Sequence, residues 1–336
     1  MISMKDIARE CGVSIATVSK ALNDHSDIGE STKKMVCDTA KRLGYLPNSS
    51  ARALKTNRTY NLGVLFVDDD DSGICHDYFS HVLNSFKVYA EEKGYDITFI
   101  GRKTAGISMT YYEHSLYRGL DGVVIATIDY SDAEVIELIN GRLPVVTIDY
   151  MFKNRTAVMS DNTLGMKQLV TYIHSLGHEK IAYICGNDTA VTQTRVKSYL
   201  DTMESFGLKV PDEYLKHGAY RDVEITSRLT AELLGLRERP TCIIYPDDLS
   251  VFGGINMIKS YGLSIPQDIS IAGYDGLNIS KIIEPKLNTI EQDALSLGRE
   301  AASRLIKQIE EPENFKVERI IVEGKLITGN SVARIY

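Results

Sequence analysis

From Leu62 onward, short apolar runs alternate with stretches whose apolar residues recur at helical spacing, and this alternation restricts the fold more than any other feature of the chain. LGVLFV, ITFI, GVVIA and VVTI take turns with helical patterns over Tyr78 to Lys93, near Thr110 to Arg118, and over Ala133 to Asn140. Apolar runs of this length without polar alternation belong to strands covered on both faces, so the pattern predicts a parallel, doubly wound α/β unit. A second set follows Gly177: IAYIC, helices near Gln193 to Phe206 and over Val223 to Leu236, TCIIY, a helix over Leu249 to Tyr261, and ISIAGY. Two similar lobes are expected. No GxGxxG follows the first strand and no GxxxxGK[ST] occurs, so neither a dinucleotide nor a nucleoside triphosphate is indicated. A chain of 336 residues suits two or three domains, and 43% hydrophobic content allows each a core.

The N-terminal stretch Met4 to Asn23, MKDIARECGVSIATVSKALN, has a different period. Ser3 and Asp6 have capping-box spacing, Ile7, Ala8 and Cys11 share one helical face, and Gly12 can end that helix in the left-handed conformation. Val13 can staple the next helix and Ser14 can cap it, with Val18, Ala21 and Leu22 as its buried stripe. Ile15, Ala16, Thr17, Ser19 and Lys20 are then left mostly outside. That set suits base edges, thymine methyls and phosphates, which a recognition helix meets with its N-terminal residues, although two such helices also occur in ordinary helical domains. A third helix is expected over Gly29 to Leu43, packing through Met35, Val36, Thr39, Ala40 and Leu43 and stopped by Tyr45 and Pro47. Asn48 can cap a short helix over Ser49 to Lys55.

Taken with TKKMVCDTAKRLGYLPNSSARALKTNRT, the segment KDIARECGVSIATVSKALN resembles the lactose/galactose repressor family of bacterial transcription regulators, and the resemblance runs along nearly the whole chain. It implies a helix-turn-helix headpiece with a hinge helix over residues 1–58. Residues 59–336 are implied to be a two-lobed effector-binding and dimerisation domain of periplasmic-binding-protein type. DNA contacts carry over to Ser14, Ile15, Ala16, Thr17, Ser19, Lys20 and Asn23, and in the hinge to Ala51, Arg52 and Leu54. In this family the hinge helix pairs with its twin and wedges a leucine into the minor groove. Leu54 stands at that position. The pair Ile15 and Ala16 implies a pseudo-palindromic operator centred on CG, and Lys20 replaces the more frequent Arg, losing the bidentate fork on guanine. Tetrameric relatives carry a heptad helix beyond this end point, so a dimer is expected.

Ligands of open parallel sheets bind beyond the carboxyl ends of strands, and those positions are polar here. Asp149, Arg195, Asp247 and Asp275 match the family's effector contacts, with Tyr78, Phe79, Arg102 and Tyr220 as pocket walls. Helix capping is the competing role for each aspartate, and Asp248 is expected to cap the helix that follows. Asp247 departs from the family's usual Asn and Ser198 from its usual Gly, while the loop VDDDDSGICHD is longer and more acidic than is common; these changes bear on ligand identity. Three carboxylates and one or two guanidinium forks suit a neutral mono- or disaccharide.

Residues 1 to 60 hold ten Lys or Arg against six Asp or Glu, +4, which leaves −11 for the rest of a chain whose net charge is −7. A basic head on an acidic body fits a protein that touches phosphates at one end. Five scattered cysteines without CxxC read as reduced packing residues, and the seven histidines show no ligand spacing, so neither a metal nor a cofactor is expected. His178 reads as a loop cap. Without GxSxG there is no support for a hydrolase. The alternative reading is a carbohydrate-binding protein whose N-terminal helices serve oligomerisation, but the N-terminus lacks a signal peptide and no apolar run reaches roughly 18 residues, so a cytoplasmic protein with no membrane partner is expected, and the resemblance implies a bacterial, nucleoid-associated one.

Overall fold

Ser3 and Gly12 set the limits of the first helix, α1 (Met4–Cys11): the Ser3 amide and hydroxyl both donate to the Asp6 carboxylate, and Gly12 leaves the helix at φ 64°. Helix α2 (Ile15–Leu22) begins where the Ser14 hydroxyl accepts the Thr17 amide at 3.0 Å, and α3 (Glu30–Leu43) ends at Gly44, φ 68°. The computed structural model describes residues 2–46, 58–67, 76–104 and 106–335. The chain divides into two units, Met1–Thr59 and Tyr60–Tyr336.

In the first unit Ile7, Ala8, Val18, Ala21, Val36 and Ala40 form a three-helix core, with Cys11, Val13, Leu22 and Leu43 around it. Met35 is not part of it and is 41% exposed. Its neighbour Val36 holds the inward position, and a helix turning about 100° per residue cannot aim both into so narrow a core. Gly44, not Tyr45 and Pro47, stops the third helix. The expected hinge, with Ala51, Arg52 and Leu54, lies outside the described residues, as does the acidic run Asp68 to Asp71.

The second unit contains both expected lobes. Its first sheet is six-stranded and parallel, in the order β13-β7-β6-β5-β1-β2. These strands are β1 (Asn61–Phe66), β2 (Asp96–Phe99), β5 (Gly122–Thr127), β6 (Val145–Ile148), β7 (Thr156–Ser160) and β13 (Arg319–Val322); β3 (Lys103–Thr104) and β4 (Ile107–Ser108) form a separate hairpin. Helices α4 (Asp77–Glu92), α5 (Tyr111–Tyr117) and α6 (Ala133–Asn140) connect the strands. The second sheet runs β11-β10-β8-β9, from β8 (Ile181–Cys185), β9 (Leu215–His217), β10 (Cys242–Ile244) and β11 (Ser270–Ala272), all parallel. Its helices are α7 (Asn162–Ser175), α8 (Ala190–Ser205), α9 (Val223–Leu234), α10 (Val251–Ser260) and the short α11 (Asn278–Ile282).

The last segment returns through both lobes. Strand β12 (Thr289–Glu291) pairs antiparallel with β14 (Lys325–Ile327), and Ile290 and Leu326 pack in the second lobe's core. Helix α12 (Ala294–Glu310) instead packs on the first sheet, where Leu297, Ala301 and Leu305 join Val82, Phe86 and Val124. Gly298 permits this contact, because a Cβ there would fall 2.1 Å from the Val82 carbonyl oxygen. No helix among the described residues is long and apolar enough to cross a membrane.

Candidate functional site

The outer face of α2 presents Ile15, 44% exposed, with Ala16 and Lys20 beside it and Asn23 and the cap Ser14 at its ends. Thr17 and Ser19 are half-buried. Asn23 donates to the Ser19 carbonyl at 2.6 Å, and the Lys20 ammonium contacts the Asp27 carboxylate. An apolar first turn followed by hydroxyls and an amine is unfavourable against water alone but matches thymine methyls and base acceptors.

In the second unit the carboxyl ends of β1, β5, β6, β8 and β10 open onto a cavity of about 410 Å³. Asp149 follows β6 directly and Asp275 lies just beyond β11, both in the left-handed region at φ 55° and 99°. Strained backbone at two strand ends facing one cavity is the pattern of a binding site. Asp149 accepts the Ser160 amide at 2.7 Å and Asp275 accepts the Gln292 side-chain amide at 2.6 Å. The second oxygen of each carboxylate has no partner among the described residues.

Arg195, only 3% exposed, lies against this pair. Its Nε donates to Asn162 Oδ1 at 2.7 Å and one terminal nitrogen to the Pro246 carbonyl at 3.2 Å. Its other terminal nitrogen is 3.9 Å from Asp275, and the guanidinium carbon is 3.6 Å from the centre of the Tyr274 ring. Burial works against this charge, yet Tyr220, Tyr274 and Asp275 hold its pKa above the ordinary value. Burial also pushes Asp149 up, and raises Asp275 to about 6 against the pull of Arg195. Ser198, the expected departure from Gly, donates to the Thr163 carbonyl at 2.7 Å and so ties α8 to α7.

Three of the four expected wall residues line the same cavity. The Tyr78 hydroxyl is 3.3 Å from Ser160 Oγ, Phe79 packs edge-on against Phe66, and Tyr220 bonds Thr192 at 2.8 Å. Tyr220 rests on Gly186, where a Cβ would lie 2.3 Å from the ring. Arg102 is the exception: it is half exposed, does not line the cavity, and pairs with Asp132 and, at 3.1 Å, Glu134. Two nearby carboxylates at the start of α6 satisfy its guanidinium better than a distant cleft could.

Neither of the two adjacent aspartates takes its expected role. Asp247 borders the cavity, but both its oxygens are occupied, Oδ1 by the Leu249 and Ser250 amides and Oδ2 by the Arg221 amide and the Ser250 hydroxyl. It holds the turn that leads into α10, whose N-cap residue is Ser250, by accepting amides two and three residues on. Asp248 is fully buried and accepts from Thr289 Oγ1 and the Leu277 amide, both at 2.7 Å, joining the second lobe to its return segment. His178 is likewise a buried tie, between Thr241 and the Ala333 carbonyl. The charge-centred reading overlooked Tyr130 and Tyr150, which line the cavity and stack at 4.3 Å and 10°. Both follow strand runs by a few residues, and that placement was the available signal.

Residues 3–48 match the family described as bacterial regulatory proteins, lacI family, and residues 170–332 match the periplasmic binding protein-like domain. The chain belongs to the LacI family. It is 28% identical to the probable HTH-type transcriptional repressor ExuR of Bacillus subtilis, over 100% of this chain and 99% of the relative. It is also 28% identical to the HTH-type transcriptional repressor PurR of Haemophilus influenzae, over the full length of both. The fold is that of the lac repressor dimer bound to operator and the anti-inducer ONPF, at a TM-score of 0.84 and 22% identity over 99% of each chain. This LacI-family protein is therefore a DNA-binding transcriptional repressor with a ligand-binding domain of periplasmic-binding-protein type.

Proposed function

We propose that this repressor binds a pseudo-palindromic, CG-centred operator as a homodimer in the bacterial cytoplasm, and that a neutral mono- or disaccharide in the cleft between the lobes releases it from DNA. Residues 1–58 are assigned to DNA recognition through Ser14, Ile15, Ala16, Thr17, Ser19, Lys20 and Asn23, with Ala51, Arg52 and Leu54 at the minor groove. Residues 59–336 are assigned to ligand binding and dimerisation.

One observation carries the ligand class: around a single buried guanidinium the cleft keeps acceptors that lack donors. They are the second oxygens of Asp149 and Asp275, which have no partner among the described residues. Hydroxyls around a sugar ring donate to such acceptors and accept from Arg195, while Phe79, Tyr130, Tyr150 or Tyr220 supports the ring's apolar face. A sugar phosphate or carboxylate would meet Asp129, Asp149, Asp188 and Asp275 along the same wall, like charges that two arginines, Arg195 and Arg221, do not balance. Thermal unfolding of the full chain with neutral sugars, sugar phosphates, uronates and purines tests the proposal. A neutral sugar should raise Tm and weaken operator binding, whereas stabilisation by phosphates or purines and by no neutral sugar rejects it.

A further inference from the structure

We infer that Asp27 is a specificity-determining residue of the headpiece: its carboxylate, in contact with the Lys20 ammonium, suppresses that lysine's binding to DNA phosphates and leaves it usable against a neutral base acceptor. The inference rests on the reading of Ile15–Leu22 as the base-contacting helix.

Lys20 lies on the exposed face of that helix and Asp27 in the loop before Glu30–Leu43, and the two side chains are in direct contact with each about half exposed. The bond from Lys20 holds the Asp27 carboxyl below its ordinary range. The pattern recurs through the unit: Arg9 pairs with Asp6 at 3.0 Å, Lys33 with Asp24 at 2.7 Å and Glu30 at 3.1 Å, and Arg42 with Glu10 at 2.9 Å. Of the seven Lys and Arg in residues 2–46, only Lys5, Lys34 and Lys41 have no carboxylate partner among the described residues. Four of the seven cations in residues 2–46 thus hold a carboxylate before the head meets DNA.

For Lys20 this matters most, because a lysine is a point charge on a flexible stem and binds any phosphate it can reach. A phosphate that approaches Lys20 also approaches Asp27, so the attraction is offset by like-charge repulsion. Guanine O6 and N7 are uncharged and escape most of that repulsion. An ammonium has three donors and can hold a base acceptor and Asp27 together. The carboxylate therefore weakens contacts to random DNA more than contacts to the operator, which is specificity by repulsion.

The test compares the full chain with Asp27→Asn, Lys20→Ala and the double variant. Each is titrated with a duplex site that the unmodified protein selects from a random pool, and with a scrambled duplex, over a range of salt. Asp27→Asn should tighten binding of the homodimer to scrambled duplex about four- to twenty-five-fold, the scale of one exposed ion pair in each protomer, and operator binding by less, so that selectivity falls. The log–log salt slope on scrambled duplex should steepen by about two, the increment of one further phosphate contact from each protomer of the homodimer. In the Lys20→Ala background both changes should vanish. Equal tightening on both duplexes, or the same tightening without Lys20, would make Asp27 a general charge and overturn the inference. If the unmodified protein selects no site, the base-contacting assignment fails as well; if it does and Asp27→Asn changes nothing, only this inference fails.

Discussion

Replacing Asp275 by Asn should stabilise the protein while removing its response to ligand. Burial raises the Asp275 pKa from 3.8 to about 6, a difference that already includes the attraction of Arg195. Two pKa units at 1.36 kcal/mol each make the ionised carboxylate cost the folded state about 3 kcal/mol at neutral pH. The sign follows from proton counting: between about pH 4 and 6 the folded chain keeps a proton that the unfolded chain has lost. Stability therefore falls as pH rises across that window and is flat above it. Asparagine resembles the protonated acid, keeps an acceptor for Gln292, and carries no charge to bury. At pH 8 it should raise stability by up to about 3 kcal/mol, roughly 6–10 °C in Tm for a unit of this size, and below pH 4 the gain should disappear. Because the chain has no Trp, tyrosine fluorescence during urea unfolding at several pH values is the convenient measurement. A variant no more stable than the parent at pH 8, or equally stabilised at pH 3.5 and pH 8, would refute the argument. The same protein should lose the Tm increase that a neutral sugar gives the parent.

Sugar affinity of the unmodified repressor should decline as pH falls below about 6, when Asp275 takes up a proton and loses acceptor capacity; calorimetric titration at pH 5 and 7.5 checks this. Gly186→Ala drives a methyl to within 2.3 Å of the Tyr220 ring, so sugar affinity should fall about tenfold or more with a stability loss of about 1–3 kcal/mol, and unchanged affinity would show the ring to be a bystander. Ile7→Ala empties the centre of the three-helix core at about 2–5 kcal/mol, more than so small a unit can spare. Operator binding at 37 °C should vanish while the sugar-induced Tm shift persists, and loss of both would contradict the independence of the two units. Leu54→Ala should weaken operator binding roughly tenfold and scrambled-duplex binding less than about twofold, as expected for a minor-groove wedge; equal losses on the two duplexes would reduce Leu54 to a linker residue.

Strands and caps were the legible part of this chain because they depend on neighbours in sequence. VVTI and IAYIC are strands over the residues expected, and Ser3, Gly12 and Ser14 bound the first two helices as their spacing predicts. Strand Thr156–Ser160 and helix Asn162–Ser175 escaped notice, since TAVMS is partly polar and the helix carries Gly165 and Asn162 among its buried residues, blurring its apolar stripe. In the cleft, Asp149 and Asp275 are legible because each stands at or just beyond the end of a strand, and Arg195 because it lies in the opening turns of the helix after IAYIC. Arg102 is not legible as an ion-paired surface residue because its carboxylate partners lie some 30 positions away, and neither is the structural role of Asp247 and Asp248, because the direction of two adjacent side chains depends on how the chain turns after Pro246.

The return of the last segment to the first lobe has a consequence for synthesis. Ser85 bonds the Leu295 carbonyl, 210 positions later, and Leu297, Ala301 and Leu305 fill a core begun by Val82 and Phe86. On the ribosome that lobe cannot close until nearly the whole chain has emerged, whereas the three-helix head has every core residue by Tyr45. Nascent or prematurely terminated chains would thus carry a folded three-helix head without a closed first lobe behind it.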